Sequence, residues 1–363
     1  MGLFFIHGEG HVEHWMARAL AAESELRELT LDRALRGSPK TNPSLSNLLA
    51  GETVSSSFVI HCTDRFLPAG LEVSQFPTAC WLVDVFVGTN SSLRWAMLFD
   101  YVFIAHPRFV ATFRSAGHPN VYSLPLAAPP TFFGSSRDDT DRHFDVGWVG
   151  RSKGPLFTSR ARILPRLARR FQMNEWQMWR SYEETANIYQ HSKIVVNVSR
   201  DDYPCDANMR VFEAMAAGAL LITRIPTELI DLGFCEGEHF VGYRDEADLE
   251  DIVSDFLARR ADRLAIAANG CQLVRQKHMY EHRALSILET VERSRERSFA
   301  PARSWPVEKV LLAYLYFHCS SRSFRFAAQT MADLIKSNTA ASLKALPLIG
   351  RTLAREVRNT LGA

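Results

Sequence analysis

The sequence predicts an α/β protein made of two successive Rossmann-like, doubly wound halves followed by a helical extension. Three observations predict it. Compact apolar runs alternate with helical patterns up to Leu124, a Pro- and Ser-rich polar tract interrupts them, and a second α/β series starts near Phe144. The 363 residues, 47% hydrophobic and 23% charged, hold enough apolar material for two cores at about 100–200 residues per domain.

The elements follow in order. Leu3–Ile6 is an apolar strand that stops at Gly8-Glu9-Gly10. Val12–Ala22 has helical spacing, with Trp15, Met16, Ala19 and Leu20 on one side. Leu26–Leu31 reads as a second strand, and 36–57 as loop-rich chain. Phe58–His61, Ala79–Val83, Tyr101–Ala105 and Val121–Leu124 are short runs of the kind that a parallel sheet buries on both faces. Pro107–Ala116 supplies a connecting helix. The domain boundaries expected are 1–130 for the first half, 131–143 for the linker, 144–298 for the second half and 299–363 for a helical tail that packs back on the domains.

In the second half, Asp145–Val149, Ile194–Val198, Ala219–Thr223 and Phe240–Tyr243 are the strands. Ser159–Phe171, Tyr182–His191, Ala207–Ala217, Asp245–Ala258 and one long pattern from Asp262 to Arg297 are the helices. Gly218 suits the position after a helix end, and Asp206 is the expected N-cap of the helix before it. The arginine row Arg160, Arg162, Arg166, Arg169 and Arg170 reads as a solvated face.

Net charge is +2, which argues against a protein that coats nucleic acid by bulk charge. The charge is uneven: +6 from Ala300 onward against −4 before it. The six cysteines show no CxxC pair and no zinc-finger spacing, so they read as thiols of a reducing compartment. The apolar opening is too short for a signal peptide, and no run approaches the ~20 apolar residues of a membrane span. A cytoplasmic protein is expected. In the tail, Leu343, Leu346, Leu348, Ile349 and Leu353 interleave with Lys344, Arg351, Arg355 and Arg358, a pattern suited either to peripheral contact with an anionic membrane or to a solvated basic face.

Three segments carry candidate chemistry. The first is Asn208-Met209-Arg210-Val211-Phe212-Glu213-Ala214, followed by Gly218 and a strand. A helix that starts there aims its free N–H groups at an anion such as a diphosphate. Asn208 and Arg210 can bond phosphate or sugar, and the Glu213 carboxylate can take a pair of ribose hydroxyls. The second is Gly150-Arg151-Ser152-Lys153-Gly154, after a strand and before a basic helix. Gly150 lets backbone approach a phosphate, and Arg151 and Lys153 neutralise charge as a diphosphate leaves. The third is His7-Gly8-Glu9-Gly10-His11-Val12-Glu13-His14, at the end of the first strand. It is neither GxGxxG nor HExxH, so flavin, NAD and metal readings lack support; no cofactor and no metal is expected. Trp148, Trp176, Trp179 and Tyr243 can stack on a base or sugar, or be core.

Residues 208–223, then Pro226-Thr227-Glu228-Leu229, Gly237-Glu238-His239-Phe240-Val241, Asp245-Glu246-Ala247-Asp248 and His278-x-Tyr280-x-x-Arg283, resemble the C-terminal half of group 1 glycosyltransferases with the GT-B fold. The Asn-x-Arg-x-Phe-Glu-Ala form is most similar to the spore-maturation-protein-like (CgeB-like) branch. Trp81-Leu82-Val83-Asp84, Phe99 to Phe103 and Leu124 to Ala127 resemble the same branch. The likeness covers about residues 1–295. It implies two Rossmann-like domains facing a cleft, with a nucleotide-sugar donor held by the second and a glycan, lipid-linked or small-molecule acceptor by the first. It implies that Glu213 binds ribose and that a histidine of the first loop deprotonates the acceptor. His11 is the first choice and His7 the second, with Asp84 or Asp64 orienting the ring. Many members carry another glutamate near the transferred sugar, eight positions before the ribose glutamate; Cys205 stands there in this sequence. The expected activity is metal-independent glycosyl transfer. The alternatives are a nucleotide-sugar epimerase and a non-catalytic sugar-nucleotide-binding protein of the same fold.

Overall fold

A computed structural model describes residues 2–8, 10–30, 42–50, 58–63, 65–134, 139–294, 300–348 and 350. Glu9, Asp64, Ile349 and the tail residues Arg351, Leu353, Arg355 and Arg358 lie outside the described residues, as does the tract 135–138. The chain divides into two compact units: Met1–Leu124 with Ala284–Ala363, and Pro125–Arg283.

The first unit holds a six-stranded parallel sheet. Its strands are β1 (Gly2–His7), β2 (Glu25–Thr30), β3 (Phe58–Cys62), β4 (Thr78–Leu82), β5 (Tyr101–Ile104) and β6 (Val121–Ser123), in the order β2-β1-β3-β4-β5-β6. Ile6 pairs with Leu29 on one side and His61 on the other. Every residue of β3, β4 and β5 is buried, which is why these strands are apolar without alternation. The edge strand β2 buries only Leu29 and shows charged side chains instead. Helices α1 (His11–Glu23), α2 (Leu45–Leu48), α3 (Thr89–Trp95) and α4 (Val110–Ser115) connect the strands.

The second unit holds β7 (Phe144–Gly147), α5 (Thr158–Arg170), α6 (Tyr182–Gln190), β8 (Ser192–Asn197), α7 (Met209–Ala216), β9 (Leu220–Arg224), β10 (Val241–Tyr243), α8 (Glu246–Ala258) and α9 (Arg260–Lys277). Its parallel sheet runs β10-β9-β8-β7, and Met173 adds a bridge on the far side of β7. The chain leaves β7 toward Met173 and returns to β8 on the other side, so the topological switch lies between β7 and β8.

Two boundaries differ from the sequence expectation. Residues 125–130, expected in the first half, and the linker 131–143 fall in the second unit, and Arg283 clasps the former: Nε donates to Pro125 O at 2.7 Å and Nη2 to Leu126 O at 3.0 Å, while Ala128 N donates to His278 O at 2.9 Å. The long helix expected over Asp262–Arg297 breaks at His278–Met279. There Met279 N donates to His282 Nδ1 and caps a new helix, α10 (Tyr280–Ser294). Helices α11 (Val307–Ser320) and α12 (Phe324–Ser337) belong to the first unit, whose core takes Val310, Ala313, Tyr314, Phe317 and Phe326.

Four arginines of the α5 row, Arg162, Arg166, Arg169 and Arg170, are exposed as expected, and Arg160 departs from the row. Arg162 and Arg166 pair with Glu246, and Arg166 and Arg170 with Glu250, all reaching α8. Arg160 is buried.

Candidate functional site

In an open parallel sheet, ligands bind at the carboxyl ends of the strands where the order reverses. In the second unit that point is the loop after β7, with Trp148 to Lys153, beside the loop after β8, with Val198 to Asn208. The sheet therefore brings Gly150, Arg151, Asn208 and Arg210 to one edge, although up to 60 positions of sequence separate them.

Asn208 caps α7: its Oδ1 accepts from Arg210 N at 3.1 Å. Asp206 does not hold that place; it accepts from Asn208 Nδ2 at 3.0 Å and thereby orients the cap. The same Nδ2 donates to Asn197 Oδ1 at 3.0 Å, and Arg210 Nη1 donates to that oxygen at 2.7 Å. Asn197, at the end of β8, is fully buried and also donates to Thr223 Oγ1. No motif pointed to it; its signal was a polar residue ending an apolar strand.

Arg210 also donates twice to Val149 O, from Nε at 3.1 Å and Nη2 at 2.9 Å. Its guanidinium lies 5.2 Å from the Trp148 ring. Gly150, at φ +152°, leaves the space for it: a Cβ there would meet Arg210 Nη2 at 2.6 Å. Arg151, Lys153 and Gly150 are exposed. The N-terminus of α5 is already occupied, since Asp201 accepts from Thr158 N at 2.6 Å and from Thr158 Oγ1 at 2.7 Å.

Glu213 lies one turn into α7 and is buried. Tyr182 donates its hydroxyl to Glu213 Oε1 at 2.7 Å. Burial pushes the Glu213 carboxyl up to about 7, against the pull of that hydrogen bond and of Arg210. The loop before α7 is braced from below by Glu228. This fully buried carboxylate accepts from Tyr203 OH at 2.7 Å and Ala207 N at 3.2 Å, and its own N–H donates to Cys205 O.

Of the four stacking candidates, Trp148 and Tyr243 are buried, Trp176 is half-buried and Trp179 is 83% exposed. Trp148 is held at both backbone atoms by Asn174.

In the first unit the order reverses between β1 and β3, and His7 ends β1. His7 is buried; its Nε2 meets Glu28 Oε2 at 3.0 Å and its Nδ1 meets Gly8 O at 2.6 Å, so both ring nitrogens are engaged. The structure joins it to neither His11 nor Asp84. His11 opens α1 and is exposed. Asp84 follows β4 and is exposed. Among the described residues, one trio brings metal-ligand atoms within 4.8 Å: Cys235, Glu238 and His239. Its His239 Nδ1 already accepts from Cys235 N at 3.0 Å. No described helix is long and apolar enough to cross a membrane.

Residues 141–289 match a family model described as glycosyl transferase-like. No curated protein sequence matches the chain. Among solved structures, it resembles Anabaena HepE in complex with UDP-glucose, at 14% identity and TM-score 0.60, over 81% of this chain and 100% of that one. It also resembles a sucrose-phosphate synthase from Thermosynechococcus elongatus, at 13% identity and TM-score 0.55 over 81% and 98%. A glycosyltransferase from Rickettsia africae gives 9%, 0.56, 82% and 99%. The family match is thus confined to residues 141–289, on a chain whose two units have the GT-B fold of these structures.

Proposed function

We propose that this protein transfers a sugar from a nucleotide-sugar donor to an acceptor hydroxyl. The observation that carries it is the edge of the second sheet: Arg151, Lys153, Arg210 and the Asn208-capped end of α7 around one switch point, with the buried Glu213 behind them. In this reading the cationic edge and the helix end take the diphosphate, and Glu213 accepts from ribose. The guanidiniums carry the charge of the leaving diphosphate, so the step takes no metal. The HepE and sucrose-phosphate synthase likenesses support a donor of this class. The CgeB-like branch rests on the Asn-x-Arg-x-Phe-Glu pattern.

The acceptor, a glycan, lipid-linked or small-molecule hydroxyl, is assigned to the first unit. His11 is its proposed base rather than His7, whose two nitrogens are engaged. Activity retained in EDTA, and lost by ~10²–10⁴ in His11→Ala with donor binding intact, supports these assignments.

The direct test is a thermal-shift screen with UDP, GDP, dTDP and their common sugars. A ligand at a hundred times its dissociation constant stabilises the fold by ~2.7 kcal/mol. No shift with any of them overturns the reading.

A further inference from the structure

Two guanidiniums share one aromatic ring at this edge. Arg160 lies 5.6 Å and Arg210 5.2 Å from the centroid of Trp148. Trp148 is fully buried and Arg160 is 6% exposed. All the acceptors that these two arginines reach are neutral. Arg160 Nε donates to Val198 O at 2.7 Å and Nη1 to Arg151 O at 2.8 Å. Arg210 donates to Val149 O and Asn197 Oδ1. Neither forms an ion pair with a carboxylate among the described residues. The nearest acids have other work: Asp201 caps α5 and Asp206 accepts from Asn208.

A buried cation with no carboxylate in direct contact is costly, and a second beside it adds repulsion. Burial first and Arg210 second disfavour the charge on Arg160, and Asp206 and Asp201 offset this only in part. An incoming dianion removes both penalties at once.

We infer that Arg160 is a further donor-site residue: it holds the Arg151 and Val198 carbonyls in place and, together with Arg210, makes the site select for a nucleoside diphosphate over the monophosphate or the free nucleoside. The inference rests on the donor reading above. Arg160 acts in two ways. As a staple it fixes the loop after β7 against the end of β8, so that Arg151 faces the phosphates. As a charge it adds to the field on the second phosphate, where low dielectric makes that field strong.

The test measures dissociation constants by calorimetry for whichever of UDP, GDP and dTDP the wild type binds, with the matching monophosphate and nucleoside. Arg160→Gln should weaken the diphosphate by about 10- to 100-fold, the loss of one charge-assisted contact. The monophosphate should lose less, and the nucleoside should stay within about twofold, since it carries no charge for Arg160 to act on. Arg160→Lys keeps the charge but not the paired carbonyl bonds, and should recover part of the diphosphate affinity. Equal loss for all three ligands would make Arg160 a structural residue only and overturn the proposal. Unchanged diphosphate affinity in either folded variant would overturn it too. If the wild type binds none of the diphosphates, the donor reading itself falls, and this inference with it.

Discussion

Tyr182 donates its hydroxyl to Glu213 across 2.7 Å, in a place where both side chains are buried. The pair sets a conflict between stability and binding. The native carboxyl keeps its proton up to about pH 7, while an ordinary glutamate loses it near 4.5. Between those values the unfolded chain binds fewer protons than the native one, so stability falls as pH rises through the window. Glu213→Gln keeps the acceptor for Tyr182 and removes the charge. It should match the wild type at pH 5 and exceed it at pH 8, by up to about 3 kcal/mol. Nucleotide affinity should drop at pH 8. Calorimetric melting at the two pH values checks this, and a variant less stable than wild type at pH 8 would refute it.

Gly150 and Arg210 should behave as one unit. A methyl group at residue 150 would sit 2.6 Å from Arg210 Nη2 and 3.3 Å from the Trp148 ring. The φ of +152° adds backbone strain for any other residue. Gly150→Ala should cost roughly 1–3 kcal/mol of stability and weaken nucleotide binding by displacing Arg210. In a double-mutant cycle with Arg210→Ala, the binding losses should then fall well short of additive. Additive losses would show that the methyl acts elsewhere.

These two relationships also show what the sequence made legible. The strands were readable because burial on both faces leaves an unbroken apolar run, and each sits within one or two residues of its expected place. The motif around Glu213 was readable because glycine, arginine and acid recur at fixed spacing. Asn197 was not, because its role comes from lying beside Thr223 of β9 and against Asn208 and Arg210 of α7 rather than from its neighbours in the chain. Arg160 was misread for a related reason. It sits in a run of arginines, and only the three-dimensional course of α5 separates the one turned inward from those paired to α8. The break at His278 was hidden because the helical periodicity continues across it.

Acid should destabilise the protein through buried histidines. Burial lowers His61 and His118 to about 4, and His278 to about 3. Each resists protonation in the native state, while the unfolded chain takes up a proton near 6.5. Stability is therefore lost as pH falls from about 6.5 toward 4, up to about 3 kcal/mol for each group. His318 offers a clean variant. It is fully buried among Tyr314, Phe317 and Phe326, its two ring nitrogens have no partner, and it too is lowered to about 4. His318→Leu should be neutral or stabilising at pH 7 and should shrink the loss between pH 7 and pH 5 in urea titrations. An unchanged pH slope would remove His318 from the account.

The tail should separate into a structural part and a dispensable part. Tyr314 OH accepts from Leu71 N at 3.0 Å and donates to Glu72 Oε2 at 2.8 Å, and Ser91 Oγ donates to Tyr316 O. Phe317 is 1% exposed and lies edge-on to Trp95 at 5.2 Å. Phe317→Ala should therefore cost about 3–5 kcal/mol, the price of an aromatic removed from a packed core. A chain cut before Val307 should fail to fold its first unit. Among the described residues, a cut after Asn338 removes the packing of Ala341, Ala345 and Leu348 on the small cluster around Met331 and Leu334. That chain should stay folded and keep its nucleotide affinity. It also loses Leu343 and Leu346, which are 62% and 52% exposed beside Lys344. These are the apolar and basic groups that an anionic membrane would hold, each charge near the lipid adding ~1 kcal/mol. Flotation at low salt with vesicles containing phosphatidylserine should then carry the full chain and leave the cut chain behind. If the full chain does not float, the segment beyond Asn338 is a brace for α11 and α12 and has no membrane role.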